Sequence, residues 1–243
     1  MSKRSTYLIM TILLTISASC SSAIPEKSAR ILVFYKTVGF YHTSIPAGIR
    51  ALQTLGINNN FTVDTTANSR VFTSDYLRKY DAVIFLNTTG DVLNDAQQRE
   101  FENYMRSGHG FVGIHSATDT EYSWPWYNKL VGAYFADHPE IQPADIRVVR
   151  KSHSSTSFLP DVWQRTDEWY NFKNIYEGIN VLAELDETTY TGGKNGTKHP
   201  IAWYHDFDGG RSFYTAGGHT NESYSEPLFL KHLLGGIQYA IGR

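Results

Sequence analysis

Histidine side chains are the groups in this sequence best suited to moving protons at neutral pH. The chain has nine histidines, and an imidazole titrates near neutral pH, so it can act as a general base or a general acid. His115 stands in GFVGIHSATD, after an apolar run and directly before Ser116. A buried structural histidine is the ordinary interpretation of such a residue. The polar turn that follows favours a catalytic role instead, with Asp119 orienting the imidazole.

Other histidines follow apolar runs in the same way. His42 comes after the first run, and His219 comes after RSFYTAGG, where Gly217 and Gly218 would let the backbone approach a ligand closely. Both histidines could instead be surface residues of tight turns. Weaker candidates for substrate contact are His138 and His205. The histidines expected at the surface or in turns are His109, His153, His199 and His232.

Carboxylate, phenol and hydroxyl groups accompany these imidazoles. In the segment TDEWYNF, Glu168 and Tyr170 would share one face of a strand, with Trp169 on the other face. A carboxylate beside a phenol can hold a substrate hydroxyl or assist a histidine, whereas a solvated Glu on an edge strand is the alternative. Thr88 and Thr89 follow another apolar run and could hold a substrate oxygen.

Aromatic residues make up 14% of the chain. Trp124 and Trp126 lie close together in EYSWPWYNKL. Their rings could stack on the apolar face of a sugar, although packing in the core or in an oligomer interface is the more common use of such rings. The sequence leaves the oligomeric state open.

Several familiar kinds of site are excluded or unsupported. The chain lacks HExxH, GxSxG, GxxxxGK[ST] and GxGxxG motifs. Cys20 is the only cysteine, so an internal disulfide, a zinc–cysteine cluster and a catalytic thiol in the folded body are excluded. No cofactor is firmly implied. The scattered His, Asp and Glu residues could still converge on a divalent metal, but no spacing requires one.

The first residues, MSKRSTYLIMTILLTISASCSS, have the layout of an export signal: two basic residues, an apolar stretch and then small residues. We expect residues 1–19 to be a lipoprotein-type signal peptide, with Cys20 lipidated, residues 20–29 a tether and residues 30–243 one domain. An ordinary signal peptide cut near Ala23 is the alternative. Either way the protein is predicted to be exported, to the periplasm or as an outer-membrane lipoprotein of a bacterium, touching membrane only through its lipid. With a net charge of −2 and no basic block, nucleic acid is a poor candidate for a partner.

Apolar runs of strand length alternate with helical patterns in the first half of the chain. Strands are predicted at residues 30–36, 61–65, 81–87 and 110–115. One helix is predicted from Ser44 to Leu55 with Gly56 ending it, and another from Asn94, where Gln97 completes a capping box. This succession predicts a parallel sheet with helices on both faces. Ligands bind outside the carboxyl ends of such strands, and the polar residues that follow these ends are His42, Thr88, Thr89, His115 and Asp119.

The second half is richer in β-structure, with strands predicted at residues 146–150, 181–185, 201–204 and 211–215 and a closing helix over residues 227–241. Together with the first half, this pattern fits one α/β domain. We find no internal repeat and no linker that would divide it.

Five blocks of the sequence resemble the ThuA-like family, the trehalose-utilisation proteins. They are FLNTTGDVLN, GFVGIHSATDTEYSWPWYNKLVGAYF, TDEWYNF, HPIAWYH and GRSFYTAGGHT. The resemblance implies a flavodoxin-like three-layer sandwich, similar to class I glutamine amidotransferases, with a mostly parallel central sheet. In those enzymes a cysteine stands where this chain has His115, after Gly113 and Ile114. Glutamine hydrolysis is therefore not expected here. The resemblance implies a role with trehalose or 3-keto-glycosides.

The leading hypothesis is an enzyme that acts on a glycoside or keto-sugar by acid–base chemistry. His115 would be the general base or acid, assisted by Asp119, while Glu168, His42 and His219 would hold or protonate substrate oxygens. The rings proposed to stack on the sugar are those of Trp124, Trp126 and Trp169. A non-catalytic sugar-binding lipoprotein is one alternative. A metal-dependent hydrolase is the other, with ligands drawn from His42, His115, His138 and His219.

Overall fold

The computed structural model describes residues 28–243 of the chain. Its strands are β1 (Ala29–Phe34), β2 (Phe61–Thr66), β3 (Ala82–Leu86), β4 (Gly110–Ile114), β5 (Tyr134–Asp137), β6 (Gln142–Val148), β7 (Val162–Asp167), β8 (Asn171–Lys173), β9 (Asn180–Leu185), β10 (His199–Phe207) and β11 (Gly210–Thr215). Its helices are α1 (Ile45–Asn58), α2 (Ser74–Leu77), α3 (Asp95–Arg106), α4 (Pro125–Val131) and α5 (Pro227–Ala240). The predicted signal peptide, Cys20 and nearly all of the tether lie outside the described residues.

A nine-stranded sheet forms the centre of the part of the chain that the structure describes, in the order β2-β1-β3-β4-β11-β10-β9-β6-β7. The strands from β2 to β11 in this order run parallel. From β11 outwards the pairings are antiparallel. A separate pair, β5 and β8, forms a small antiparallel ribbon. The predicted α/β, flavodoxin-like fold is confirmed, with an antiparallel extension supplied by the second half of the chain.

The inner parallel strands are buried over nearly their whole length. Every residue of β3 and β4 is buried, as are all residues of β1 except Arg30. Strands covered on both faces read as continuous apolar runs rather than alternating ones, which is why these strands stand out in the sequence. Their carboxyl ends all open on the same edge of the sheet.

Helix boundaries follow the local sequence in one case and depart from it in another. At α3 the predicted capping box forms, since Asn94 accepts from the Gln97 backbone and the Gln97 side chain accepts from the Asn94 backbone. At α1 the prediction that Gly56 ends the helix is wrong, because the helix continues to Asn58. Gly56 is needed for packing instead: a Cβ there would lie 2.6 Å from the Phe61 carbonyl oxygen.

The segment TDEWYNF is also not a continuous strand. β7 ends at Asp167 and β8 begins at Asn171, so Glu168, Trp169 and Tyr170 lie in the connection between them. The two side chains predicted to share a face nevertheless point the same way, as described below. Within residues 28–243, no helix has both the length and the apolar character needed to cross a membrane.

Candidate active site

Four side chains from distant parts of the sequence meet beyond the carboxyl ends of β4 and β11. His115 follows β4, His219 follows β11, His42 lies in the loop between β1 and α1, and Glu168 lies in the β7–β8 connection. One ligand-type atom from each lies within 4.8 Å of the others. We call these residues the His–Glu cluster. The structure thus brings together four of the five residues proposed as catalytic from the sequence.

His115 is fully buried and adopts a φ of +50°, in the left-handed region. Its Nδ1 lies 2.8 Å from the carbonyl oxygen of Ala216. A carbonyl oxygen can only accept, so Nδ1 carries a proton, and in the neutral tautomer that this contact selects the Nε2 lone pair faces the cluster. The ring of Tyr170 packs against this imidazole at a centroid distance of 4.2 Å.

Glu168 is buried and bridges the imidazoles. Its Oε2 lies 2.9 Å from Nδ1 of His219 and 3.4 Å from Nε2 of His115. Its Oε1 lies 3.1 Å from Nδ1 of His138. Burial alone would raise the pKa of Glu168, but the neighbouring imidazoles of His115 and His219, the second of which donates a hydrogen bond to Oε2, outweigh it and hold that pKa well below its usual value. The carboxylate is therefore ionised at neutral pH.

The pKa values of the other two imidazoles of the cluster, His219 and His42, are shifted in opposite directions. Burial disfavours the charged form of His219, but the hydrogen bond and negative charge of Glu168 outweigh it and raise the pKa of His219. His42 has no such partner. Burial, together with the neighbouring imidazoles His115 and His219, lowers the pKa of His42 to about 2. His42 is therefore a neutral imidazole, and its Nδ1 lies 3.4 Å from the hydroxyl of Ser116.

A buried carboxylate fixes the segment that carries His219. Asp167 accepts hydrogen bonds from the backbone N–H groups of Gly218, at 2.9 Å, and His219, at 3.1 Å. Arg165 lies 3.3 Å from the same carboxylate. Gly218 has a φ of +116°, and a Cβ at Gly217 would lie 2.4 Å from Nη1 of Arg165. The two glycines are thus explained by this backbone arrangement and need no ligand.

Asp119 does not orient His115 as the sequence suggested. Its carboxylate accepts from the Tyr122 hydroxyl at 2.7 Å, and within the described residues the group that fixes the His115 tautomer is the Ala216 carbonyl. The threonines after β3, Thr88 and Thr89, form hydrogen bonds with neighbouring loops. Thr88 is bonded to Thr120, and Thr89 donates to the Phe40 carbonyl, which holds the loop that carries His42.

The tryptophans that were expected to stack on a sugar are engaged elsewhere. Trp124 and Trp126 stack on each other, and their indole N–H groups donate to Glu102 and Asp208. Trp169 is fully buried and donates to the Gln142 carbonyl. The physical reason is that large rings near apolar strands gain most from burial.

Several histidines also differ from expectation. His205 is buried in β10 and is bonded to the Lys129 carbonyl. His153, His199 and His232, which were expected at the surface or in turns, are buried as well, although His153 does lie in a segment of turns. His199 is held between Glu187 and the Tyr170 carbonyl. These histidines serve packing and hydrogen bonding, whereas His138 is half-exposed beside Glu168.

An exposed aromatic residue beside the cluster was missed from the sequence. Phe40 is 64% exposed, and its ring meets that of His42 edge-on at a centroid distance of 4.8 Å. Tyr41 beside it is 53% exposed. The segment GFYH carried the signal, since it places two aromatic residues directly before a candidate histidine in a loop after a strand.

The cluster has the donor set of a metal site as well as of an acid–base site. Imidazole nitrogen and carboxylate oxygen are common ligands of divalent transition metals. In the part of the chain that the structure describes, the residues that could hold such an ion together are His42, His115, His219 and Glu168.

Comparison with known proteins gives a family and several related folds. A ThuA-like protein from Bacteroides uniformis is similar over 91% of this chain and 94% of its own, with 22% identity and a TM-score of 0.76. One from Parabacteroides merdae has 20% identity and a TM-score of 0.75, over 88% and 90% of the two chains. A β-galactosidase from Bacillus circulans has 15% identity and a TM-score of 0.59, over 89% of this chain but 31% of its own. These likenesses concern the fold.

The search among curated proteins gives no match. The family comparison is decisive, because the sequence model of the ThuA family, described as trehalose utilisation, matches residues 30–240. This span includes every residue of the His–Glu cluster. The chain belongs to the ThuA family of trehalose-utilisation proteins.

Proposed function

We propose that this trehalose-utilisation protein is an enzyme that moves protons on a glycoside or keto-sugar at the His–Glu cluster. The observation that carries the proposal is the convergence of three imidazoles and one ionised carboxylate within 4.8 Å beyond the ends of the parallel strands. Ligands of open α/β sheets bind at that edge. Titratable groups with perturbed pKa values are also typical of functional sites.

The cluster holds both a proton acceptor and a proton donor. Nε2 of His115 presents a lone pair, because Nδ1 carries the proton that is donated to Ala216. His219 donates its Nδ1 proton to Glu168, and because this contact raises the pKa of His219, the ring can carry a second proton on Nε2 to give to a substrate. A base and an acid a few ångströms apart can act on neighbouring atoms of one substrate.

A keto-sugar suits this arrangement because a ketone acidifies the C–H bond on the adjacent carbon. The base would take that proton, and the electron pair would form an enolate whose oxygen accepts a hydrogen bond from the donor. Loss of the oxygen substituent from the next carbon would re-form the ketone, leave a C=C bond beside it and break the glycosidic link. The departing oxygen would take up the proton that the donor carries, while the base keeps the proton it removed from carbon, so the charges balance.

The test uses a panel of keto-disaccharides with wild-type protein and the variants His115→Ala and Glu168→Ala. We expect kcat/KM to fall by about 10²- to 10⁴-fold in each variant, the range that general acid–base groups contribute. His109→Ala is the matched control, since His109 stacks on Tyr104 at a distance from the cluster. Thermal melts would establish that the variants are folded. Equal turnover by both variants and wild type would contradict the proposal, and tight binding of glycosides without turnover would favour a sugar-binding protein.

A further inference from the structure

We propose that the His–Glu cluster binds one divalent transition-metal ion. This inference deepens the proposed function, on which it rests for the use of the ion, but the binding itself can be measured without any substrate. Three observations support it: the distances between the donor atoms, the hydrogen bonds within the cluster, and the contacts that position the ligands.

The spacing between the donor atoms is close to the spacing between ligands that bind the same metal ion. Metal–nitrogen and metal–oxygen bonds of about 2.0–2.2 Å in tetrahedral geometry place neighbouring ligands roughly 3.3–3.5 Å apart. In the cluster, Nε2 of His115 lies 3.2 Å from Nδ1 of His219 and 3.4 Å from Oε2 of Glu168. The widest spacing in the set of four is 4.8 Å. Small side-chain rotations would bring His42 close enough to bind the same ion as the other three ligands.

Two acceptor atoms of the cluster share a single hydrogen-bond donor. The Nε2 lone pair of His115 and the Oε2 atom of Glu168 both face Nδ1 of His219, which can carry only one proton. The two buried acceptors therefore compete for one proton. A cation at the meeting point would satisfy all of these lone pairs together.

Three of the four proposed ligands have supporting contacts of the kind found in metal sites. Metal-bound imidazoles usually donate their other N–H to a carbonyl or carboxylate, as His115 does to Ala216. The second oxygen of Glu168 is bonded to His138. Asp167 fixes the backbone of His219. A metal site would also explain the left-handed φ of His115, because this backbone conformation directs Nε2 towards the other three donor atoms.

The donor set selects the class of ion. Nitrogen from imidazoles with one carboxylate suits Zn²⁺, Mn²⁺, Co²⁺ or Ni²⁺, whereas Ca²⁺ and Mg²⁺ prefer oxygen ligands. Four protein ligands leave room for a further one on an ion that accepts five or six. The ketone oxygen of a sugar could occupy that position, and the ion would polarise the carbonyl. With the ion bound, the imidazoles would act as ligands, and polarisation of the carbonyl by the ion would replace the hydrogen bond from His219.

Elemental analysis and calorimetry test the inference on protein purified without chelator and without a histidine tag. We expect about one transition-metal ion per chain, lost on dialysis against chelator and regained on titration with ZnCl₂ or MnCl₂. His219→Ala and the isosteric Glu168→Gln should weaken this binding by about 100-fold or more, beyond the usual effect of outer-shell changes. His109→Ala should bind as wild type does. A Co²⁺-loaded sample gives an independent visible absorption spectrum.

Failure to bind Zn²⁺, Mn²⁺ or Co²⁺, or binding that both cluster variants leave unchanged, would overturn the inference. Circular dichroism in chelator separates loss of a ligand from loss of the fold. Stoichiometric metal without turnover of any keto-disaccharide would refute the proposed function and leave the metal site standing. Full turnover of a keto-disaccharide by protein that fails to bind any of these ions would refute the metal site and leave the proposed function standing.

Discussion

His115 places its imidazole at the centre of the cluster from a backbone conformation that L residues rarely adopt. Its φ of +50° costs about 1–3 kcal/mol. The surroundings hold it there, since the Tyr214 hydroxyl donates to the His115 carbonyl at 2.7 Å and Ala216 accepts from Nδ1. Strain that neighbouring groups maintain at one residue is typical of functional sites. The backbone at this position thus aims an imidazole into the cluster.

Phe40 is a large aromatic residue that is mostly exposed beside the cluster. Its ring is 64% exposed and lies against His42 at the rim of the cluster. If this ring stacks on the sugar, Phe40→Ala should raise KM for keto-disaccharides by about 3- to 10-fold, from a stacking contribution of roughly 0.5–1.5 kcal/mol, and leave kcat within about 2-fold. Steady-state kinetics measures both values.

A matched control for Phe40 is Ile57→Ala. Ile57 is 84% exposed on α1, so its loss removes a comparable exposed apolar side chain without touching the site. Phe40→Trp should retain a low KM because it keeps an aromatic face. An unchanged KM in Phe40→Ala would show that the substrate does not contact this ring.

A buried carboxylate connects the end of β7 with the loop that follows β11. Asp167, the last residue of β7, accepts from the backbone of Gly218 and His219 and from the Ser223 hydroxyl, and it lies beside Arg165. β7 and β11 are not neighbours in the sheet. Asp167 therefore links the outer antiparallel strand to the loop after an inner parallel strand. Glu168 follows it directly, so the same link positions two members of the cluster.

Removal of this carboxylate should affect both stability and the site. We expect Asp167→Ala to lower the free energy of unfolding by about 3–5 kcal/mol, because Arg165 is left buried without one of its charged partners. Urea unfolding measures this loss. The affinity for the metal ion should also fall, because the backbone of His219 is no longer held.

Asp161→Ala serves as the control for Asp167. Asp161 pairs with Lys151 at an exposed position near the start of β7, and pairs of that kind contribute little. If Asp167→Ala were as stable as Asp161→Ala and bound metal equally well, Asp167 would not be a positioning residue for the cluster.

At the scale of the whole molecule, buried neutral histidines make the fold sensitive to acid. His232 lies inside α5, where Nδ1 is bonded to the Ser155 carbonyl and Nε2 to the Thr215 hydroxyl. Burial lowers the pKa of His232 to about 4, and the nearby charge of Arg165 acts in the same direction. The folded state therefore binds fewer protons than the unfolded state between these pKa values.

Because the folded state binds fewer protons, the free energy of unfolding should decrease as the pH falls. The contribution of His232 to stability is complete above about pH 6.5 and is lost progressively as the pH falls towards 4, by about 3 kcal/mol in total. Urea unfolding at several pH values measures the slope. His232→Gln cannot titrate, so its stability should fall less steeply over that range. Parallel curves for the variant and wild type would contradict the assignment.

The sequence alone determined the parallel half of the fold and the edge at which the site lies. The apolar runs of β1, β3 and β4 and the capping box of α3 depend on residues close together in the chain, so local patterns reveal them. His42, His115 and His219 could be proposed because each follows such a run.

Only the tertiary structure decided which polar groups meet. Glu168 reaches the cluster from a connection that the sequence pattern represented as a strand, and Asp119, Trp124 and Trp169 find partners elsewhere. Contacts between residues far apart in the chain depend on the path of every element between them, and no local pattern encodes that path. The burial of His199 and His232 has the same origin, because a histidine in an apolar setting is neutral and packs wherever its ring nitrogens find partners.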